Sequence, residues 1–379
     1  MKITIIGGGP AGLYFAILMK KADPSHEITI YERNPPNDTF GWGVVFSDKT
    51  LSYLKESDYD SYSQIISAFE TWDNVDVVHR GQRTTVHGNK FSGIARIEIL
   101  KILQTRCQSL GVKAHFGEEV TAVEAMAANC DLLIGADGIN SLVRQTYADS
   151  FQPSLSVRHN KYIWYGTNQL FHGLTLTFRQ NEAGAFAAHS YKFNKTTSTF
   201  IVECGEQTWK NAGFEQLSDE QTRTYLQDTF RNDLIGQPLL SNNSKWINFV
   251  NVKNGNWSHQ NVVLLGDALH TAHFSIGSGT KLALEDAIAL SKSLESWELR
   301  SALKRFEALR RPVIEEYQAA ALESCIWFEN ADRYMHLLPV IFAFELMTRS
   351  GRVSYESLKR RDPEFIAKYE AARARKDEE

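Results

Sequence analysis

Residues 2–32 read KITIIGGGPAGLYFAILMKKADPSHEITIYE, and this stretch decides the fold. Lys2 to Ile6 is a continuous apolar, β-branched run, the pattern of a buried strand in a parallel sheet. Gly7 to Gly12 makes a turn, Leu13 to Lys21 continues as a helix, and Asp23-Pro24-Ser25 breaks it. Glu27 to Glu32 returns as a second strand, which completes a βαβ unit. The glycines fit the dinucleotide fingerprint, with Gly7, Gly9 and Gly12 in its three roles. Backbone N–H groups at the start of the helix suit a pyrophosphate. Glu32 ends the second strand at the right distance to accept hydrogen bonds from an adenosine ribose, and Arg33 beside it joins the cofactor-binding set. The fingerprint alone does not separate NAD from FAD.

Outward from this unit, the same texture returns twice. Arg96 to Leu110 has helical spacing, with Ile99, Leu103 and Leu110 on one side, and Asp131 to Ile134 is a buried-strand pattern ending in Gly-Ala-Asp-Gly. Asn261 to Leu265 leads into Gly-Asp and a helix from about Ser278 to Ser293. Between them, Lys161 to Glu203 holds the stretches KYIWYG, LTLTFR, GAFAAHSYKF and STFIVEC, separated by polar turns. Such aromatic, β-favouring segments predict an antiparallel sheet, to which residues 72–91 add strands. From Arg305 the chain reads as helical. The fold class is therefore α/β: a Rossmann-like nucleotide-binding domain (1–71, 92–158 and 255–304) interleaved with an antiparallel-sheet substrate domain (72–91 and 159–254), then C-terminal helices (305–379).

Composition narrows the partners. The chain has 379 residues, 41 Lys and Arg against 45 Asp and Glu, and a formal charge of −4. Mixed charges of this balance argue against nucleic acid as the main partner. Cys107, Cys130, Cys204 and Cys325 lie far apart with no metal-ligand or redox spacing, which reads as four reduced thiols in a cytoplasmic protein and no metal site. No signal peptide opens the sequence. The apolar run Leu337 to Met347 is too short for a membrane span.

Two later motifs settle the cofactor. Asp131-Leu-Leu-Ile-Gly-Ala-Asp137-Gly138-Ile-Asn-Ser141-Leu-Val-Arg144 resembles the DG motif of class A flavoprotein monooxygenases, and Gly266-Asp267-Ala268-Leu269-His270 with Gly277-Ser278-Gly279 resembles their GD motif. The resemblance is to the para-hydroxybenzoate-hydroxylase-like monooxygenases. It implies FAD as cofactor, NADH or NADPH as co-substrate, and hydroxylation of an activated aromatic ring by O2 through a flavin C4a-hydroperoxide. Asp267 can accept hydrogen bonds from the ribityl hydroxyls. Gly277 and Gly279 let backbone approach the flavin ring, and the following helix start favours a reduced, anionic flavin. Arg96 opens a helix where the family often places an arginine on FAD.

A narrower resemblance covers most of the chain. Thr39 to Asp48 (TFGWGVVFSD), Thr271 to Lys281 (TAHFSIGSGTK) and Ser198 to Glu203 (STFIVE) resemble salicylyl-CoA 5-hydroxylases and the flavin half of 2-aminobenzoyl-CoA monooxygenase/reductase. Asn160 to Phe171 and Tyr334 to Leu337 also resemble the indole-ring hydroxylase of violacein biosynthesis. The substrate implied is an aryl-CoA thioester or, alternatively, an indole-type ring; a third reading is an oxidase or reductase of the same fold. Where many members carry prolines after the Gly-Asp motif, this chain has His273 and Phe274. His273 is a candidate to position or deprotonate a substrate hydroxyl. His189 and Tyr191 share one strand face by period-two alternation and are candidate substrate-side groups, His189 with a catalytic role. Trp164 and Phe274 complete the expected substrate contacts. Arg310, Arg311, Arg349 and Arg352 are the candidates to meet the phosphates of a CoA thioester.

Overall fold

The computed structural model describes residues 1–39, 41–46 and 48–377, with side chains at 48–50 and 376–377 excepted. Phe40 and Ser47, within the motif Thr39 to Asp48, lie outside the described residues.

The opening unit forms as its pattern requires. Lys2–Ile6 and Glu27–Glu32 are parallel strands in register, joined by the helix Pro10–Ala22. Lys2–Ile6 pairs on its other edge with Leu132–Gly135, so it runs through the centre of a six-stranded sheet and buries Ile3 and Ile5. The sheet continues through Val262–Leu264, parallel to Leu132–Gly135. All three cofactor motifs therefore leave the same, carboxyl edge of neighbouring strands, where open α/β sheets bind nucleotides.

The aromatic-rich middle of the chain forms a separate eight-stranded sheet, built around Pro153–Thr167, Ser198–Cys204, Gly184–Lys192 and Leu174–Asn181. Those four pair antiparallel, whereas Val75–His79 joins Leu174–Asn181 in parallel. A third sheet of three strands, Gly43–Phe46, Phe91–Ala95 and Glu70–Trp72, lies between the halves. One face of the large sheet packs Tyr165, Phe186, Phe200 and Val202 under the short helices that follow it, around Leu226 and Phe230.

The C-terminal part begins earlier than residue 305. A 31-residue helix, Leu299–Glu329, crosses that position. Its first half buries Leu303, Phe306 and Ile314 in the nucleotide-domain core, and its end places Trp327 and Phe328 against the large sheet. The helix thus belongs to both halves and clamps one to the other. Among the described residues no helix is long and apolar enough to cross a membrane.

Candidate active site

The nucleotide end is set by close backbone contacts. Gly7 adopts φ +111°, and a Cβ there would lie 2.1 Å from the Ala136 carbonyl oxygen, so a side chain would push the first motif off the second. At Gly12 a Cβ would sit 2.4 Å from the Gly7 oxygen, whereas at Gly9 nothing lies within 4 Å. The turn is therefore closed on its protein side and open where a pyrophosphate would approach the helix start. Glu32 accepts hydrogen bonds from Gly8 N at 2.7 Å and from Asn34 N and Nδ2 at 2.8 Å. These fix its carboxylate while leaving lone pairs for ribose hydroxyls. Arg33 is exposed beside it.

The second and third motifs are tied together by Arg144. It is buried and donates from Nη1 to the Ala268 carbonyl at 2.9 Å and from Nη2 to that of Ile139. Asp137 caps the helix Leu142–Thr146 through Oδ2, accepting from Leu142 N at 2.6 Å, and keeps Oδ1 buried with no partner among the described residues. Burial raises its carboxyl above the ordinary value. Gly138 follows at φ +78° with open space about it. Asp267 is exposed, yet protein surrounds it on most sides, so it faces a cleft and not the bulk. Burial raises its carboxyl, with Arg96 and His270 opposing. Arg96 feels the reciprocal field of Asp267, and its buried Nε has no hydrogen-bond partner among the described residues. Beneath this motif His270 Nε2 meets Asp286 Oδ2 at 2.6 Å, and Arg310 Nε donates to Asp286 Oδ1 at 2.8 Å. Gly277 takes a left-handed φ of +61° and Gly279 opens the helix Gly279–Ser296 with nothing within 4 Å of a Cβ.

The residues fit FAD: a glycine turn and Glu32 for the adenosine half, and an unpartnered arginine nitrogen opposite an aspartate for the middle. Two open glycines suit the flavin end. Bound there, FAD supplies the oxygen chemistry of an aromatic hydroxylase.

Facing that end is the other side of the large sheet. Register places Tyr162 opposite Glu203, Trp164 opposite Ile201, and His189 opposite Ile201, so these side chains share one face. His189 Nε2 lies 3.0 Å from Glu203 Oε2, and Asn160 Nδ2 donates to Glu203 Oε1 at 2.9 Å. All three are buried. Burial raises the Glu203 carboxyl, but the hydrogen bonds it accepts from His189 and Asn160 oppose this and the net shift is downward. An ionised carboxylate only accepts, so His189 Nε2 carries a proton and Nδ1 is left for another partner.

His273 and Phe274 stand over this face. The Phe274 ring lies 4.6 Å from Tyr162, 5.4 Å from His189 and 4.2 Å from His273. His273 is buried, and burial pushes it down to about 4. Its Nδ1 meets Ser275 Oγ at 2.8 Å and accepts from Ser275 N at 3.3 Å, so the neutral ring keeps its proton on Nε2. Arg349 holds the loop: Nη2 donates to the Ser275 carbonyl and Nε to Ser324 Oγ, both at 2.8 Å. Burial pushes its guanidinium down to about 10 against the field of Glu203.

Several expectations change here. Tyr191 lies on the His189 face, but its hydroxyl donates to the Gly43 carbonyl at 2.7 Å and its ring stacks on Trp72. Its hydroxyl is thus already partnered within the protein, and the residue is buried. The Trp164 ring lies against Gly41, where a Cβ would be 2.7 Å away. Arg310 is buried between Glu285 and Asp286, and Arg349 is spent on the Ser275 loop, so neither meets an exposed phosphate. Arg311 donates to Glu307 and to the Gly255 carbonyl. Arg352 stays exposed, beside Tyr317. Glu203, Asn160, Tyr162 and Phe328 were not read as site residues from the sequence. A carboxylate inside STFIVEC was the available signal, because an acid in a buried strand needs a partner.

The fold and site define an FAD-dependent aromatic hydroxylase. Residues 124–321 match the family described as FAD binding domain, and residues 5–44 match the NAD(P)-binding Rossmann-like domain. The chain belongs to that FAD-binding family and is a flavoprotein monooxygenase that uses FAD with NAD(P)H. It is 41% identical to a salicyloyl-CoA 5-hydroxylase of Streptomyces sp over 92% of this chain and 70% of the relative. It is 35% identical to the protodeoxyviolaceinate monooxygenase of Chromobacterium violaceum, over 89% of this chain and 91% of the relative. A 3-hydroxy-4-methyl-anthranilyl-aryl-carrier-protein 5-monooxygenase of Streptosporangium sibiricum is 33% identical over 94% and 97%. Among solved structures, 2-methyl-3-hydroxypyridine-5-carboxylic acid oxygenase shares the fold at TM-score 0.70 and 19% identity, covering 95% of this chain and 97% of that one.

Proposed function

We propose that the chain hydroxylates the ring of an aryl-CoA thioester, of salicylyl or 2-aminobenzoyl type, with the ring held between Phe274 and the His189–Glu203 pair. The net reaction inserts one oxygen atom of O2 into a ring C–H bond. The other oxygen leaves as water, with a hydride (two electrons and one hydrogen) from NAD(P)H and one proton from the medium. The observation that carries the reading is the buried His189–Glu203 contact at 3.0 Å beside the Phe274 ring.

His189 accepts the proton of a ring hydroxyl at Nδ1, and the Glu203 anion stabilises the imidazolium that forms. Deprotonation makes the ring more electron-rich. His273, neutral and with Nε2–H free of its Ser275 contacts, donates to a substrate oxygen. Phe274, Tyr162 and Phe328 exclude water and orient the ring. Gly7, Gly9, Gly12, Glu32, Arg33, Arg96, Gly138, Asp267, Gly277 and Gly279 bind FAD, and Asp137 shapes its turn. Support for the thioester comes from two relatives named for ring acids carried on CoA and on a carrier protein. The four unpaired thiols support a reducing, cytoplasmic setting.

The test is NAD(P)H oxidation with salicylyl-CoA, 2-aminobenzoyl-CoA and indole compounds, with products analysed by mass spectrometry under 18O2. One labelled oxygen in a hydroxylated aryl-CoA is expected. Turnover of indole compounds alone would replace the thioester reading with the indole one.

A further inference from the structure

A groove of about 650 Å³ lies away from the Phe274 site, between the helices Gly279–Ser296 and Leu299–Glu329. Its size suits a nucleotide-sized ligand. Lys281, Lys292 and Ser296 line one wall along a single helix face, and Arg305 and Tyr317 line the other. Four cations line it, the fourth being Arg310, against one carboxylate, Glu285. Glu285 serves the two inner cations, meeting Lys281 at 3.4 Å and Arg310 at 3.3 Å. Both of these side chains are buried, and Arg310 Nη2 has no partner among the described residues.

The outer end differs. Lys292 and Arg305 are exposed and make no ion pair among the described residues. Arg305 lies over the exposed Trp297 ring at 5.6 Å, and Tyr53 is exposed on the third wall. Two cations without a carboxylate partner among the described residues, beside two exposed aromatic rings, make a site for a flat ring bearing phosphates. The Gly7–Gly12 turn and Glu32 already serve the adenosine of FAD, so this groove takes another ligand.

We infer that the groove binds the adenosine diphosphate portion of a second ligand, its phosphates on Lys292 and Arg305 and its purine on Trp297 or Tyr53. Two molecules of the reaction carry that group: the nicotinamide donor, and coenzyme A if the aryl-CoA reading holds. Lys281, at the inner end, follows Gly279 by two residues, and Ser296 lies about 20 Å along the helix from it. A ligand anchored at the outer end therefore reaches back along this helix toward the loop bearing His273 and Phe274.

The test is calorimetric titration of FAD-saturated protein with ADP and with adenosine 3′,5′-bisphosphate, which represents the CoA end. The double variant Lys292→Glu with Arg305→Glu is run in parallel. At least one probe is expected to bind the wild type, more weakly as salt rises. The double variant is expected to lose at least about tenfold in affinity, with FAD content and thermal midpoint unchanged. A rise in KM for NAD(P)H in that variant assigns the groove to the donor; a rise in KM for the aryl-CoA assigns it to the substrate. Failure of both probes to bind the wild type, or equal binding by the variant, overturns the inference. Neither titration needs turnover, so the result is independent of which ring is hydroxylated.

Discussion

His189 Nε2 and Glu203 Oε2 meet at 3.0 Å on one face of the large sheet, diagonally across paired strands, and neither reaches bulk solvent. Glu203→Gln keeps the shape and removes the anion. If His189 moves a substrate proton, kcat falls by roughly 100-fold, the low end of what lost acid–base assistance costs. The kcat–pH profile changes shape, while FAD content holds. The measurement is steady-state kinetics across pH; an unchanged profile with lowered thermal stability would reduce the pair to a packing role.

Glu32 serves the adenosine half of the proposed cofactor cleft and Asp267 its middle. Glu32→Ala and Asp267→Ala each remove a charged acceptor for a hydroxyl, about 1.5–3 kcal/mol, or roughly ten- to a hundredfold in FAD affinity. Flavin fluorescence after dilution reports the release. Full occupancy in both variants would reassign the two carboxylates.

His273 predicts a pH-dependent stability. Its ring is held down to about 4 in the fold, against 6.5 in the unfolded chain. Between these values the unfolded chain binds a proton that the folded chain refuses, so stability rises with pH through the window. The contribution is complete above 6.5 and is lost as pH falls toward 4, by up to about 3 kcal/mol. Urea denaturation across this window is expected to have a shallower pH slope in His273→Asn. His79, also shifted downward by burial, leaves a residual slope.

Arg349 joins the C-terminal helices to the loop that carries His273. Arg349→Met leaves the Ser275 and Leu346 carbonyls and Ser324 Oγ without their donor. The expected cost is at least about 2 kcal/mol, since hydrogen bonds to a charged group are involved. With the loop loosened, less product forms per NAD(P)H oxidised, which a paired product and NAD(P)H assay measures.

The sequence by itself determined the nucleotide half. A glycine turn between strand and helix depends on contacts within a few residues, so its spacing alone fixed Lys2–Ile6, the helix and Glu27–Glu32, and Glu32 with them. Gly-Asp and Asp-Gly turns at strand ends were legible for the same reason. Period-two alternation likewise put His189 and Tyr191 on one face, but not what stood opposite them. Only tertiary structure decided that Glu203 answers His189, that Tyr191 spends its hydroxyl on Gly43, and that Arg349 holds Ser275 from 74 residues away. It also ran one helix through the boundary drawn at residue 305. Local pattern reports which face of an element is apolar. Which polar group compensates a buried charge is set by the packing of distant segments, because a carboxylate out of water takes whichever donor the assembled fold brings within reach.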